Sequence, residues 1–135
     1  MPVIRDLVCD MSEFFARWKQ AEGQFRGGKS RDESVVRLSP DNPGRQLANA
    51  AIECINCAIC YAACDVVSWN DSYLGPAALN RAWSLLNDER DQYRITRLKA
   101  VTSGAGCYNC HSHQSCARYC PNELNPTASI ACLKR

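Results

Sequence analysis

Two runs of metal-binding residue types in this chain have the same spacing. The first run is Cys54, Cys57, Cys60 and Cys64, and the second is Cys110, His113, Cys116 and Cys120, with Pro121 directly after it. The spacing Cys-x2-Cys-x2-Cys-x3-Cys is typical of paired iron-sulfur clusters, because three close thiolates bind one cluster and the fourth thiolate reaches the other. The repeated run therefore predicts two clusters in one small domain.

This crossing rule divides the thiolates unequally between the two clusters. The first site receives the four thiolates that a 4Fe-4S cluster requires, which are Cys54, Cys57, Cys60 and Cys120. The second site receives three thiolates, which are Cys64, Cys110 and Cys116. Three thiolates suit a 3Fe-4S cluster, and this is the interpretation we favour. Two alternatives stay open: His113 as a neutral fourth ligand that raises the reduction potential, and Cys107 as a further thiolate.

Other classes of cysteine-rich protein fit the ten cysteines less well. A disulfide framework belongs to short secreted chains, and no hydrophobic signal segment opens this sequence. A zinc site usually pairs two Cys-x2-Cys clips, and the two runs contain more cysteines than one tetrahedral site needs. Cys9 and Cys132 lie outside both runs, and we expect them to be buried, inert thiols.

Length and charge limit the function further. A chain of 135 residues suits one domain in which the metal sites supply much of the core, so we expect removal of iron to unfold it. The net charge is +2, with acids and bases interspersed, so no basic stripe indicates binding to nucleic acid. No stretch of about 20 apolar residues could span a bilayer.

The remaining pattern predicts a mainly α-helical domain without alternating β segments. Asp10 and Glu13 suggest a capping box for a helix over residues 11–22 that Gly23 ends. Residues 23–45 are polar and rich in glycine and proline, so we expect an exposed linker there. We accordingly divide the chain into an N-terminal helix and linker, residues 1–45, and a two-cluster domain, residues 46–135.

Further helices are predicted between and after the cysteine runs. Pro76 suits the first turn of a helix that reaches about residue 90, and a second helix is expected over residues 92–101. Residues 103–106 form a loop into the second run. Asn125, before Pro126, is a suitable cap for a final helix that ends near residue 133.

Several segments around these runs carry a resemblance to a known family. They are Pro2-Val3-Ile4-Arg5-Asp6-Leu7-Val8, Glu53-Cys54-Ile55, Trp69-Asn70, Tyr73-Leu74-Gly75-Pro76-Ala77, Cys110-His111, and the stretch from Cys116 through Cys120-Pro121 to Leu124-Asn125-Pro126. With the cysteine spacing, they resemble the C-terminal half of the iron-sulfur subunit of succinate dehydrogenase, respiratory complex II, and of its relative in fumarate reductase. The resemblance implies an α-helical ferredoxin domain with two clusters and pseudo-repeated cysteine motifs.

In that family, the same subunit also carries a plant-type 2Fe-2S domain, and its cysteine spacing does not occur in this sequence. We therefore expect a split subunit whose N-terminal half is a separate polypeptide; a fragment of a longer protein is the alternative. The apolar residues Val3, Ile4, Leu7 and Val8 would serve the interface between the halves.

The resemblance also implies a place in the respiratory chain and the tricarboxylic acid cycle. Electrons from a flavoprotein subunit would pass the 2Fe-2S half, then the 4Fe-4S and 3Fe-4S clusters, and reach ubiquinone beside the membrane-anchor subunits. The implied location is peripheral, on the matrix side of the mitochondrial inner membrane, or on the cytoplasmic face of a bacterial membrane. The chain would be a non-flavin subunit of the enzyme, without catalytic activity in isolation.

Two residues are implied to contact the quinone. Trp69, five residues after Cys64, and His111, directly after Cys110, match residues of the family's quinone pocket. An indole N–H can donate a hydrogen bond to a quinone carbonyl, and an imidazole can hydrogen-bond or relay protons near neutral pH.

The sequence departs from the family at three places near the second site. Asp65 replaces a proline and should lower the potential of the second cluster unless a base such as Arg118 offsets it. Val66, Val67 and Ser68 replace an aromatic segment, and His113 replaces an apolar residue.

Two rival functions stay open. One is an iron-sulfur relay in fumarate reductase or in another quinone-linked or heterodisulfide-reductase-like dehydrogenase, although the segments around Trp69 and Gly75 favour complex II. The other is a zinc module with a role in assembly.

Overall fold

The computed structural model describes all 135 residues except the side chain of Ala50. A small antiparallel hairpin, β1 (Val3–Arg5) and β2 (Val8–Cys9), opens the chain. The helices that follow are α1 (Ser12–Gln20), α2 (Pro43–Ile52), α3 (Ile59–Ala62), α4 (Asp65–Trp69), α5 (Pro76–Leu86), α6 (Arg94–Val101), α7 (Ser115–Arg118) and α8 (Pro126–Leu133), with a 3-10 turn at Cys107–Asn109. The mainly helical prediction is confirmed, but the hairpin was not predicted.

Helix α5 forms the centre of the domain, and α1, α2, α6 and α8 pack against it. It begins at Pro76, as predicted, directly after Gly75. Gly75 has φ +86°, and a Cβ at this position would lie 2.8 Å from the Tyr61 ring, so only glycine fits without strain. The helix ends at Leu86, earlier than predicted, because the Asn87 side chain turns back and donates to the Trp83 carbonyl at 2.8 Å.

The start of α1 differs from the predicted capping box. The Asp10 carboxylate accepts from the Ser12 N–H at 2.9 Å, whereas Glu13 pairs with Arg17 one turn later at 3.0 Å. The end also differs, because Glu22 has the left-handed φ of 54°. The box prediction was therefore wrong, although a helix lies where it was expected.

Two helices begin with the same Asn-Pro signal. The Asn125 side chain accepts from the Ala128 N–H at 3.0 Å and caps α8, which confirms the prediction. The Asn42 side chain accepts from the Arg45 N–H at 3.2 Å and caps α2 in the same way, but that helix was not predicted.

Residues 24–37 are exposed, as expected of the linker. The predicted boundary after residue 45, between the N-terminal helix with its linker and the two-cluster domain, stays a prediction. Helix α2 spans this boundary.

Buried charges connect the linker and α2 to the rest of the domain. The fully buried Arg97 of α6 donates to the carbonyls of Glu22 and Gln24, both at 2.9 Å, and pairs with Asp91. Arg45 of α2 pairs with Asp88 at 3.1 Å, just beyond α5.

Among the residues described, no helix is both long and apolar enough to cross a membrane.

Candidate metal centres

The two cysteine runs fold into the same backbone shape. In the first run Asn56 and Ala58 have φ values of 55° and 60°, and in the second run Ser112 and Gln114 have φ values of 59° and 65°. A four-residue helix follows these turns, which is α3 in the first cysteine run and α7 in the second. The repeat in sequence is therefore also a repeat in conformation, and His113 takes the place that Cys57 has in the first run.

These left-handed turns leave backbone N–H groups of each run without a backbone partner. In the part of the chain that the structure describes, the amides of residues 55–60 and 111–116 donate to no backbone carbonyl outside regular helices. The Ser112 N–H instead lies 3.4 Å from the sulfur of Cys110. Alternating turns with free N–H groups form concave anion-binding nests, which are common at iron-sulfur sites. The two runs thus suit an anionic group rich in sulfur.

The structure brings the four predicted ligands of the first site together. One cavity is lined by Cys54, Cys57, Cys60 and Cys120, together with the apolar residues Ala77, Leu124 and Pro126. Cys120 reaches this cavity from the second run, as the crossing rule predicts. The ligand assignment itself stays a prediction.

A second cavity contains the other three thiols. It is lined by Cys64, Cys110 and Cys116 along with His113. The Cys116 sulfur lies 3.2 Å from the Thr127 hydroxyl, which also lines the cavity. Here Cys64 is the residue that crosses from the first run, so each cavity contains one cysteine of the opposite run.

The cysteines outside the two cavities have other surroundings. Cys107 is fully buried in the hydrophobic core, where its sulfur lies 3.7 Å from the Leu133 carbonyl, and it is not among the residues that line the second cavity. The structure therefore gives no support to Cys107 as a ligand. Cys9 and Cys132 are half-buried rather than buried, and neither lines the two cavities.

The thiols surround a space and do not meet at a point. Among the residues described, no three His, Cys, Asp or Glu side chains come close enough to share a single metal ion. The rim positions of the thiols around a cavity suit a cluster of several irons, each of which takes one outer ligand.

Burial favours the protonated form of four of these thiols. It raises the pKa of the Cys60 thiol to about 12, and it also raises the pKa of Cys54, Cys64 and Cys116. Iron binds the thiolate, so cluster binding has to displace these protons and is coupled to folding of the site.

Three rings lie at the opening of the second cavity. The centroid of the Trp69 ring lies 6.3 Å from that of His111 and 6.0 Å from that of His113. The centroids of the two histidine rings are 6.1 Å apart. Both histidines line the cavity, and Trp69 is 61% exposed at the end of α4. We call Trp69, His111 and His113 the ring cluster. The two predicted quinone residues thus lie together, and His113 is with them.

The charged surroundings of the second cavity differ from the prediction. Asp65 faces His113, with 3.9 Å between its carboxylate and Nδ1, whereas the Arg118 guanidinium lies over the Tyr119 ring. The sequence did not indicate a role for Lys134 near the second site. Its ammonium donates to the Cys110 carbonyl at 2.7 Å. No local motif marks a lysine at this position, because the contact spans the chain from α8 to the second run.

Comparison with known proteins agrees with this geometry. The model of the 4Fe-4S dicluster domain family matches residues 53–125. The chain is 38% identical over 138 aligned positions to the protein named succinate dehydrogenase (ubiquinone) iron-sulfur subunit 2, mitochondrial, from Oryza sativa subsp. japonica. The alignment covers 99% of this chain but 44% of that protein, so the chain spans less than half the length of this curated relative. Because the family model covers both cysteine runs, the chain belongs to the 4Fe-4S dicluster domain family.

Proposed function

We propose that this chain is the two-cluster part of an electron relay in succinate:ubiquinone oxidoreductase. In this proposal the first cavity holds a 4Fe-4S cluster and the second a 3Fe-4S cluster. The observation that carries the proposal is the division of the thiols, with four around one cavity and three around the other, and with one cysteine exchanged between the two runs.

The protein's own residues position and insulate these sites. Bound iron-sulfur clusters supply one-electron chemistry, and their potentials depend on burial, charge and hydrogen bonds to sulfur. Pro126 lines the first cavity and its neighbour Thr127 lines the second, so the first turn of α8 separates the two. This short separation suits electron transfer from one site to the other. The buried side chains of Tyr73 and Ile130 line the inner side of the second site.

The two sites open toward different partners in this proposal. Cys57 and Ile55 are exposed at the rim of the first cavity, where electrons would enter from a 2Fe-2S centre that these 135 residues do not contain. The ring cluster lies at the opening of the second cavity, where Trp69 and His111 would bind ubiquinone. A flavoprotein subunit would oxidise succinate, and membrane-anchor subunits would complete the quinone site. The complex would lie at the mitochondrial inner membrane, with this chain peripheral on the matrix side.

Low-temperature electron paramagnetic resonance of the purified complex tests this proposal directly. We expect a near-isotropic signal in the oxidised state that disappears on mild reduction, together with seven irons bound to this chain, four at the first site and three at the second, beyond the two irons of the 2Fe-2S partner. Eight irons bound to this chain with no such signal would contradict the three-iron site. A colourless protein that contains zinc would contradict the whole proposal.

A further inference from the structure

We propose that the side-chain amide of Asn80 donates a hydrogen bond to sulfur in the first cavity and thereby raises the reduction potential of the first cluster. Ser129 is the positioning residue that orients this amide. The sulfur belongs to the bound cluster or to one of its cysteine ligands. The inference rests on the proposed function, because it requires an iron-sulfur cluster in the cavity where four thiols lie together.

Asn80 is a buried polar side chain in the wall of the first cavity. It is 2% exposed and lies on α5, one turn after Ala77, which lines the same cavity. The other residues of α5 and α8 in this wall are Ala77 and Pro126, and both are apolar. A buried amide costs free energy unless its groups are hydrogen-bonded. An asparagine at this position therefore needs a partner for its oxygen and another for its nitrogen.

The oxygen of this amide has its partner on the neighbouring helix. The Ser129 hydroxyl of α8 donates to the Asn80 side-chain oxygen at 2.8 Å. Ser129 does not line the first cavity, so the bond holds the oxygen at the contact between α5 and α8. Because the oxygen and the nitrogen are the two branches of one planar amide, a bond that fixes the oxygen also fixes the direction of the nitrogen.

The nitrogen of the same amide has no protein partner. In the part of the chain that the structure describes, the Asn80 nitrogen donates to no side chain or carbonyl, whereas the oxygen is bonded. The nitrogen is not enclosed either, since among these residues Trp18 Nε1 is the only unpaired side-chain atom that is fully covered. The amide nitrogen thus keeps access to open space, and the first cavity is the open space that Asn80 lines.

The chemistry of the cavity supplies the missing acceptor. When a cluster is bound, the cavity contains thiolate and sulfide sulfur, and an N–H group can donate to either. An added electron makes this sulfur more negative, and a hydrogen bond to a more negative acceptor is stronger. The amide therefore stabilises the reduced cluster more than the oxidised cluster, and the reduction potential rises.

A redox titration of the intact complex tests the inference, with the reduced-state resonance of the first cluster as the signal. Asn80→Leu keeps a similar volume but has no donor. We expect the equilibrium constant for one-electron reduction of this cluster to fall about tenfold, which lowers the midpoint potential by about 59 mV. The iron content and the oxidised-state signal of the second site should be unchanged. Ser129→Ala should lower the potential by a smaller amount, because the amide is present but no longer oriented.

Two further variants separate the hydrogen bond from packing. Ser129→Ala in the background of Asn80→Leu should lower the potential no further, because the residue that Ser129 positions is then absent. Ser84→Ala is the matched control. Ser84 lies one turn after Asn80 on α5 and is as deeply buried, but its hydroxyl donates to the Ala48 carbonyl at 2.9 Å and lines neither cavity. Its replacement should leave the potential unchanged.

Several outcomes would overturn the inference. One is an unchanged potential in Asn80→Leu with full iron content, and another is an equal shift in Ser84→Ala. If Asn80→Leu fails to incorporate iron, Ser129→Ala decides the question, because it alters only a hydroxyl outside the cavity; an unchanged potential there rejects the role of the amide. If the first site of the unaltered complex gives no resonance of a reduced 4Fe-4S cluster, the proposed function itself fails. A normal cluster whose potential does not respond to Asn80 contradicts this inference alone.

Discussion

The side-chain amide of Asn70 donates a hydrogen bond to the side-chain oxygen of Asn109 at 3.2 Å. Asn70 directly follows Trp69, and Asn109 lies two residues before His111, so this bond joins the two segments that carry the ring cluster. Asn109 is itself held by a 2.6 Å bond to the Gly104 carbonyl. The two asparagines therefore connect the segment of Trp69 to the segment of His111.

Removal of this bond should loosen the ring cluster. Asn70→Asp keeps the oxygen that accepts from Ser72 but loses the donor to Asn109, and it places two acceptor oxygens opposite each other. We expect a stability loss of about 1 kcal/mol and a higher quinone KM, because a half-buried acceptor is left unpaired. Urea denaturation followed by cluster absorbance measures the first effect. Asp71→Asn, at an exposed neighbour outside the Asn70–Asn109 bond, should change neither quantity; equal effects in both variants would contradict this role.

The two classes of cysteine should differ when replaced by serine. Cys57→Ser removes a thiol from the first cavity, so we expect loss of iron from the first site and an unchanged oxidised-state signal from the second. Cys107→Ser alters a buried thiol outside both cavities and should leave the iron content unchanged. Iron analysis and resonance on both variants make the comparison. Loss of the second-site signal in Cys107→Ser would show that Cys107 is a ligand after all.

Lys134 should raise the reduction potential of the second site. Its ammonium lies 2.7 Å from the Cys110 carbonyl, and a positive charge there stabilises the form that has gained an electron. In Lys134→Gln we expect the midpoint potential to fall, on the order of tens of millivolts. A redox titration followed by resonance measures this shift. Arg135→Gln removes the same charge from an exposed neighbour and serves as the control; equal shifts would indicate a general charge effect.

The Asp88 ion pairs should make stability depend on acid pH. Hydrogen bonds from Arg90, and also from Arg45, hold the pKa of Asp88 well below its usual range despite burial. The folded-state pKa is therefore lower than the unfolded value of 3.8, so the contribution is fully present above about pH 4 and is lost as the pH falls below it.

The variant Asp88→Asn tests this dependence. It leaves Arg45 buried without its anionic partner, so at pH 7 we expect a loss of about 3 kcal/mol. The difference in urea midpoint between variant and unaltered chain should shrink as the pH is lowered from 5 toward 3. Glu89→Gln, an exposed acid next to Asp88, is the control and should show little difference at either pH. A difference for Asp88→Asn that is independent of pH would contradict the assignment.

The sequence by itself determined the features that depend on local spacing. The cysteine intervals predicted which thiols share a cavity, because the turns between them are short and the crossing of the fourth cysteine follows from the repeat. Pro76 and Asn125 predicted two helix starts through their own backbone and side-chain chemistry. The Asn42-Pro43 signal at the start of α2 is equally local.

The tertiary structure decided the features that depend on contacts between distant segments. It placed Asp65 opposite His113, moved Cys107 into the core, and brought Lys134 to the second run and Asn70 to Asn109. None of these pairs has a characteristic interval in the chain, because each distance is set by how α5 and α8 pack and by how the two runs turn toward each other. Local spacing therefore determined which thiols gather at each cavity, and packing determined the surroundings that would tune the second site.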